Sequence, residues 1–393
     1  MANTRGIFTL RYIVEEKVPF DDWVELNDVW VSPSPTATVT PNTGYFGGGA
    51  PGYSTMDKTT YSTDTTAEVP GAALSVARIR SLAATGSSTA GYFGGGLNVD
   101  SSSAVATMDK VTYSSDTTAA LPSGANLSVA RNNLAATGNS EAGYFGGGGN
   151  ASTMDKVTYS SDTTAAVPGA ALSAARKYLA ATGNSTAGYF GGGYPYPGYS
   201  TMDKVTYSTD TTAEVPGAAL SVARHSLAAT GNSTAGYFGG GQNPAISSMD
   251  KVTYSTDTTA EVPGAALSVV RRNHGATGNS TAGYFGGGVT TGLSSSMDKV
   301  TYSTDTTAEV PGAALSVTRF SVAATGNSTA GYFGGGQNPA IASMDKLTYS
   351  SDTTAEVPGA ALSVARRDHG ASSPLANALP GSAQVQGFAP IVV

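Results

Sequence analysis

Four sets of side chains in this 393-residue chain have the types and spacing to do chemistry. Three histidines, His225, His274 and His369, lie one to three residues after an arginine. Imidazoles bind metals and move protons near neutral pH. These three fall in separate copies of a repeated segment, so a compact three-ligand site is not expected. Seven arginines, Arg78, Arg131, Arg176, Arg224, Arg271, Arg319 and Arg366, occur once per copy. A ring of guanidinium groups could hold an anion. The favoured alternative is that each ties down carbonyls of a crossing loop or a carboxylate. The aspartates of a recurrent Met-Asp-Lys, such as Asp250 and Asp298, are also stamped on every copy. A catalytic dyad breaks symmetry, so scaffold is the better reading of them. Glu68, Glu214, Glu261, Glu309 and Glu356 could pair with the Lys of that motif, but Ala120 and Ala166 replace them in two copies.

No Gly-x-Ser-x-Gly elbow and no His-Glu-x-x-His is present. The glycine runs end strands with no helix following, which makes them poor phosphate cradles. With no cysteine in the chain, thiolate catalysis, disulfides and zinc knuckles are excluded. No catalytic residue, metal or cofactor is therefore expected, and the reading is of a protein that is not an enzyme.

The fourth set is aromatic and amide side chains where the copies differ. Variation gathers in the spacer after each glycine run and again just after the repeat arginine. The candidate receptor-binding residues are Tyr53, Tyr178, Tyr194, Tyr196, Tyr199, Gln242, Asn243, Gln337 and Asn338. In Tyr194-Pro-Tyr-Pro-Gly-Tyr199 the rings could stack on sugars, held stiff by Pro195 and Pro197. The alternatives are that these rings only cover the face, or that the spacers drift.

The elements that must carry these residues follow from one stretch, GYFGGG, which begins at Gly44, Gly91, Gly143, Gly188, Gly236, Gly283 and Gly331. The Met of Met-Asp-Lys falls at 56, 108, 154, 202, 249, 297 and 344, a period of 46 to 52 residues. Such a period points to a propeller or solenoid. One copy reads as four short strands: Ser226 to Thr230, Thr234 to Phe238, Met249 to Ser255 and Thr259 to Val262. Gly231-Asn-Ser233 and Ser255-Thr-Asp-Thr258 make the turns. Pro263-Gly264 stops the fourth strand, and the Ala265 to Val270 crossing has room for one helical turn. Four strands in seven copies describe an all-β, seven-bladed propeller. The second-to-third loop and the fourth-to-first crossing then emerge on one face, so the two variable segments meet there.

The first copy lacks its own inner strand, and a spare one stands at 367–373. That segment is predicted to complete the blade begun by 43–70, with Thr36 to Thr40 as the local competitor. The domains expected are a β-rich module at 1–35, the propeller at 36–373 and a tail at 374–393. Phe8, Tyr12, Trp23 and Trp30 of the first module are candidate anchoring residues. A β-hairpin that merely seals one side of the array is the even alternative.

Charged residues are 12%, about half the globular norm, whereas glycine numbers 50. That balance suits short strands and turns. Twenty Tyr and eleven Phe supply apolar surface for a core, which disordered chains lack. A net charge of −7 without a basic run argues against nucleic acid. No run approaches a membrane span, and no secretory leader is visible at the N-terminus.

With the unit spelled out, Arg, a His or its substitute three residues on, a small strand, Gly-Tyr-Phe-Gly-Gly and Lys-Val-Thr-Tyr-Ser resemble the kelch repeat. Its marks are a double glycine and a downstream Tyr. The Trp of that repeat is missing, Ala260 and Glu261 lying in its place, so packing between blades must be achieved differently. Copper oxidases on kelch propellers need a Cys-modified Tyr, which this chain cannot form. Met1-Ala-Asn-Thr-Arg-Gly-Ile-Phe8 and Asp28-Val-Trp-Val-Ser-Pro-Ser-Pro35, leading into GYFGGG units, are similar to kelch-type structural proteins of marine tailed bacteriophages. That resemblance implies a virion location, as a tail fibre or decoration protein fixed through its front module to other virion proteins and forming a homo-oligomer on the particle. It would contact a host-surface glycan or receptor. An architectural subunit binding only its neighbours is the alternative, and an enzyme acting on surface polysaccharide the remote one.

Overall fold

The computed structural model describes residues 42–79, 82–242, 245–337 and 339–373. The chain divides between Val39 and Thr40. The anchoring candidates Phe8, Tyr12, Trp23 and Trp30, the tail at 374–393 and the competing strand at 36–40 lie outside the described residues.

Among the described residues the strands form seven four-stranded antiparallel sheets plus one two-stranded pair. The fold is a seven-bladed, kelch-like β-propeller. In blade 5 the strands are Ala228–Gly231, Ala235–Gly239, Met249–Thr253 and Thr258–Glu261, in spatial order. Each differs by one or two residues from the sequence expectation, because the turns are set by Asn232 and Asp257 and leave Gly231 and Thr258 in strands. The Asn232 side chain accepts backbone N–H bonds from Thr234 and Ala235, and Asp257 is left-handed with φ 54°. The helical turn falls earlier than expected, at Pro263–Ala265, where proline presets its first residue.

Blade 1 takes its inner strand from the far end of the chain: Gly370–Ser372 pairs antiparallel with Thr43–Gly47. Each N-terminal neighbour blade then meets the next through one repeated seam. The Tyr of Gly-Tyr-Phe stacks on the Tyr of Thr-Tyr-Ser in the next blade, as Tyr237 does on Tyr302 at 5.0 Å. The same stack joins blade 7 to blade 1 through Tyr332 and Tyr61 at 4.8 Å. The Tyr237 hydroxyl donates to Asp305 of the next blade, and Lys251 reaches the same carboxylate at 2.7 Å. Burial, and then the Asp305 hydrogen bond, raises the Tyr237 pKa, so the phenol stays a donor. Deeper in, Thr230 and the Tyr302 hydroxyl are 3.1 Å apart.

The missing Trp is replaced at this seam. The Phe of each blade lies against the last glycine of the preceding second strand. A Cβ on Gly191 would stand 3.0 Å from the Phe238 ring. Tyr189, Met202, Phe238 and Val252 close over each other with no more than 0% exposure, so the core runs between sheets. Burying such side chains stabilises by roughly 1.5–3 kcal/mol each.

The Lys–Glu pairing that the sequence allows, and that two copies lack, does not form in the structure. Lys251 is in register with Ala260, and Glu261 stands opposite Asp250. Alternation of side chains along a strand puts Lys and Glu on opposite faces of the blade. The lysine instead crosses to the next blade's turn aspartate, which every copy retains.

Candidate functional site

The repeat arginines do not form an open anion-binding ring. All seven are fully buried, and each guanidinium meets the Met-Asp-Lys carboxylate of its own blade, Arg224 with Asp250 and Arg366 with Asp57 among them. The other oxygen of Asp250 accepts the Ser221 backbone N–H at 3.0 Å, so the pair pins the crossing loop to the third strand. Arg224 also donates to the carbonyls of Phe238 and Ser248. Burial lowers the arginine pKa and Asp250 opposes it. A buried pair of this kind contributes little net stability, but losing one partner costs about 3–5 kcal/mol. The structural reading of these residues is the one that holds.

The residue after each arginine begins the variable face. Its backbone pairs with the residue just past the glycine run of the same blade: Lys177 with Tyr194, His225 with Gln242, Arg272 with Val289, Phe320 with Gln337 and Arg367 with Ala50. In blade 2 the pairing widens to Arg78–Ile79 against Leu97–Asn98. The two variable segments of the sequence are thus hydrogen-bonded to each other, and the scaffold fixes both.

One residue further on, six of the seven blades turn into their inner strands through a described left-handed residue. Asn133, Tyr178, Ser226, Asn273, Ser321 and Asp368 have φ between 52° and 57°. Backbone N–H groups link them from blade to blade: Tyr178 to Asn133 at 3.0 Å, Ser226 to Tyr178 at 2.9 Å, Asn273 to Ser226 at 3.0 Å, Ser321 to Asn273 at 2.8 Å and Asp368 to Ser321 at 3.2 Å. This belt runs from blade 3 round to blade 1. Inside it lies a cavity of about 480 Å³, whose wall includes Tyr178, Phe320, Gln337 and Arg367 together with His274 and His369.

Asn, Asp and Ser hydrogen-bond locally and tolerate the left-handed region, whereas a bulky aromatic there is strained. Tyr178 at φ 57° is the exception within the belt. Strain held at one copy of a repeated position is a mark of use. The Tyr178 ring stands 6.2 Å from His225, and Tyr194 meets the same imidazole edge-on at 5.5 Å. Lys177 Nζ lies 5.7 Å from the Tyr178 ring centre and 5.3 Å from that of Tyr194, a cation–π arrangement. Burial, and then the Arg272 charge, lowers the His225 pKa, which makes the neutral imidazole the main form at pH 7.

Of the sequence candidates, Tyr178 and Tyr194 are brought together around His225, and Tyr196, two residues past Tyr194, is 77% exposed. Gln337 lines the axial cavity, and Gln242 is tied to His225. Tyr53 and Tyr199 occupy equivalent places in blades 1 and 4, their carbonyls accepting from Arg78 and Arg224 at 3.1 Å. Asn243 and Asn338 lie outside the described residues. The sequence marks Lys177 and Phe320 only as variable positions after the repeat arginine, does not single out Arg272 or Arg367, and reads His225 as structural. Their signal was position, one step past an invariant arginine. His274 and His369 differ: they are buried where other blades carry Leu179 or Leu227. Among the described residues no three His, Asp or Glu side chains group as a metal site would require.

The fold is similar to that of the solved "Structure of YjhT", with a TM-score of 0.56 and 12% identity over 73% of this chain and 99% of that one. At that identity the likeness shows the propeller fold alone. No family model and no curated protein matches the chain.

Proposed function

We propose that this propeller is a non-enzymatic adhesion module of a tailed-phage particle, a tail-fibre or decoration protein that holds a host-surface glycan on its variable-loop face. The observation that carries the reading is the Lys177–Tyr178–Tyr194–His225 cluster: partly exposed aromatic rings beside a 480 Å³ axial cavity, on a scaffold whose strands repeat closely from blade to blade. Aromatic faces stack on the C–H faces of sugar rings at low entropic cost. The virion location, attachment to other virion proteins through residues 1–35 and self-association on the particle rest on the resemblance of the front segment to phage structural proteins. A glycan array tests the binding. The full chain should retain host-surface glycans, and Tyr194→Ala with Tyr196→Ala should lose them while melting at the same temperature. Retention by the double variant would remove the aromatic site from the account.

A further inference from the structure

The cations of the described chain divide into two classes. Seven arginines are spent on buried pairs within blades, and Lys58, Lys110, Lys156, Lys204, Lys251, Lys299 and Lys346 on turn aspartates of the next blade. Three cations remain among the described residues: Lys177, Arg272 and Arg367. All three occupy the position directly after a repeat arginine. No described carboxylate pairs with Lys177 or Arg272, and Arg367 has Asp368 at 3.6 Å.

Taken around the ring, that position reads Lys177, His225, Arg272, Phe320 and Arg367 in blades 4, 5, 6, 7 and 1, which are consecutive. Blades 2 and 3 carry Ile79 and Asn132 instead. The arc is electrostatically continuous at its start, since Arg272 acts on His225 and Lys177 lies against the rings that touch His225. Tyr178, Phe320 and Arg367 all border the axial cavity. Among the described residues of a chain of net charge −7, the remaining positive charge is therefore placed on one arc of one face and interleaved with aromatics.

We infer that the arc of blades 4 to 1 binds an extended anionic glycan, its carboxylate or sulfate groups on Lys177, Arg272 and Arg367 and its sugar rings on Tyr178 and Phe320. This rests on the glycan-binding reading above and narrows its substrate class. The length of the arc fits a polymer better than a single sugar. Nucleic acid, the other common polyanion, is disfavoured by the absence of any basic run in the sequence and is made an outcome of the test.

The test is titration of the full chain with dextran, dextran sulfate, alginate and oligothymidylate. Binding to dextran sulfate or alginate should exceed that to dextran by about tenfold or more. It should weaken as salt is raised to about 0.5 M, where the screening length falls to roughly 4 Å. Lys177→Ala with Arg272→Ala should reduce it by about tenfold, and Asn132→Ala, outside the arc, should leave it unchanged. A melting curve for each variant separates lost folding from lost charge. If the two-cation variant unfolds early, Lys177→Gln alone carries the comparison. Equal binding of dextran and its sulfate would overturn the anionic class and leave the glycan reading standing. Tighter binding of oligothymidylate than of either polysaccharide would overturn the inference in favour of nucleic acid. Binding to none of the glycans here or on an array would overturn both.

Discussion

At the scale of single residues, the site and its strain meet at Tyr178. A left-handed tyrosine costs about 1 kcal/mol or more relative to asparagine, the residue of Asn133 and Asn273 at the same place. Tyr178→Asn is expected to raise the melting temperature while abolishing glycan retention; a variant that melts lower would mean that the ring packs more than it binds. The buried histidines give a second prediction. Burial, followed by the Arg271 and Arg224 charges, pushes His274 down to about 3, with the Gly239 backbone acting the other way. His369 is likewise held well below its ordinary value by burial and Arg366. Unfolded, both titrate near about 6.5. As the pH falls from about 6.5 towards about 3, the unfolded chain binds protons that the folded one refuses, so stability declines. For His274 the loss is roughly 2 kcal/mol by pH 5, and His369 adds to it in the same direction. His274→Leu with His369→Leu restores the side chain of Leu179 and Leu227 and should flatten the urea midpoint between pH 7 and 5; an unchanged slope would acquit the histidines. The position of these residues was legible by setting the copies side by side, but their burial was not, since nothing in the sequence says which neighbour closes over them.

At the scale of elements, the strands were legible and the seams were not. Alternation and turn chemistry mark four strands per copy, as Met249–Thr253 and the Asp257 turn after it show. The partner of Lys251 lies 54 positions away, in another blade, and only the register reveals that Glu261 faces elsewhere. The glycines divide in the same way. Gly240 has φ 62°, and a Cβ there would stand 2.6 Å from the Arg271 carbonyl of the following blade. Gly264 has room, its nearest atom being the Asp305 carbonyl at 3.7 Å. Gly240→Ala should therefore cost about 2–4 kcal/mol and Gly264→Ala nothing or a slight gain. Equal urea midpoints for the two would contradict the close approach of successive blades. Acid should act on the same seams. Although burial works against it, hydrogen bonds from Lys204 and Tyr189 hold Asp257 below the usual carboxylate range, and Asp64 and Asp305 are held likewise by their own Lys and Tyr partners. That stabilisation is complete above about pH 4 and is lost as the pH falls through the lower folded values.

At the scale of the molecule, the question is what keeps seven equal blades in a closed ring. The seam between blades 7 and 1 is built like the others: Tyr332 and Lys346 both reach Asp64, and Thr325 meets Tyr61 at 3.3 Å. None of those residues belongs to the C-terminal strand. What 367–373 adds is different in kind. It covers the edge of Thr43–Gly47, it places His369 against Phe46 at 5.9 Å, and Ser372 supplies the hydroxyl that Tyr113 of blade 2 meets at 2.9 Å. Without it, blade 1 presents an unpaired inner edge and the seam to blade 2 loses its deepest hydrogen bond. An open edge also invites pairing with another chain. The seven described blades are complete without residues 1–35. Deleting 367–393 should therefore lower the melting temperature by far more than deleting 1–35, and the shortened protein should associate at concentrations where the full chain does not. Calorimetry and light scattering on the two truncations decide it. Equal melting temperatures would mean that the ring is held by its lateral seams alone, and that the exchanged strand is a cover with no part in closure.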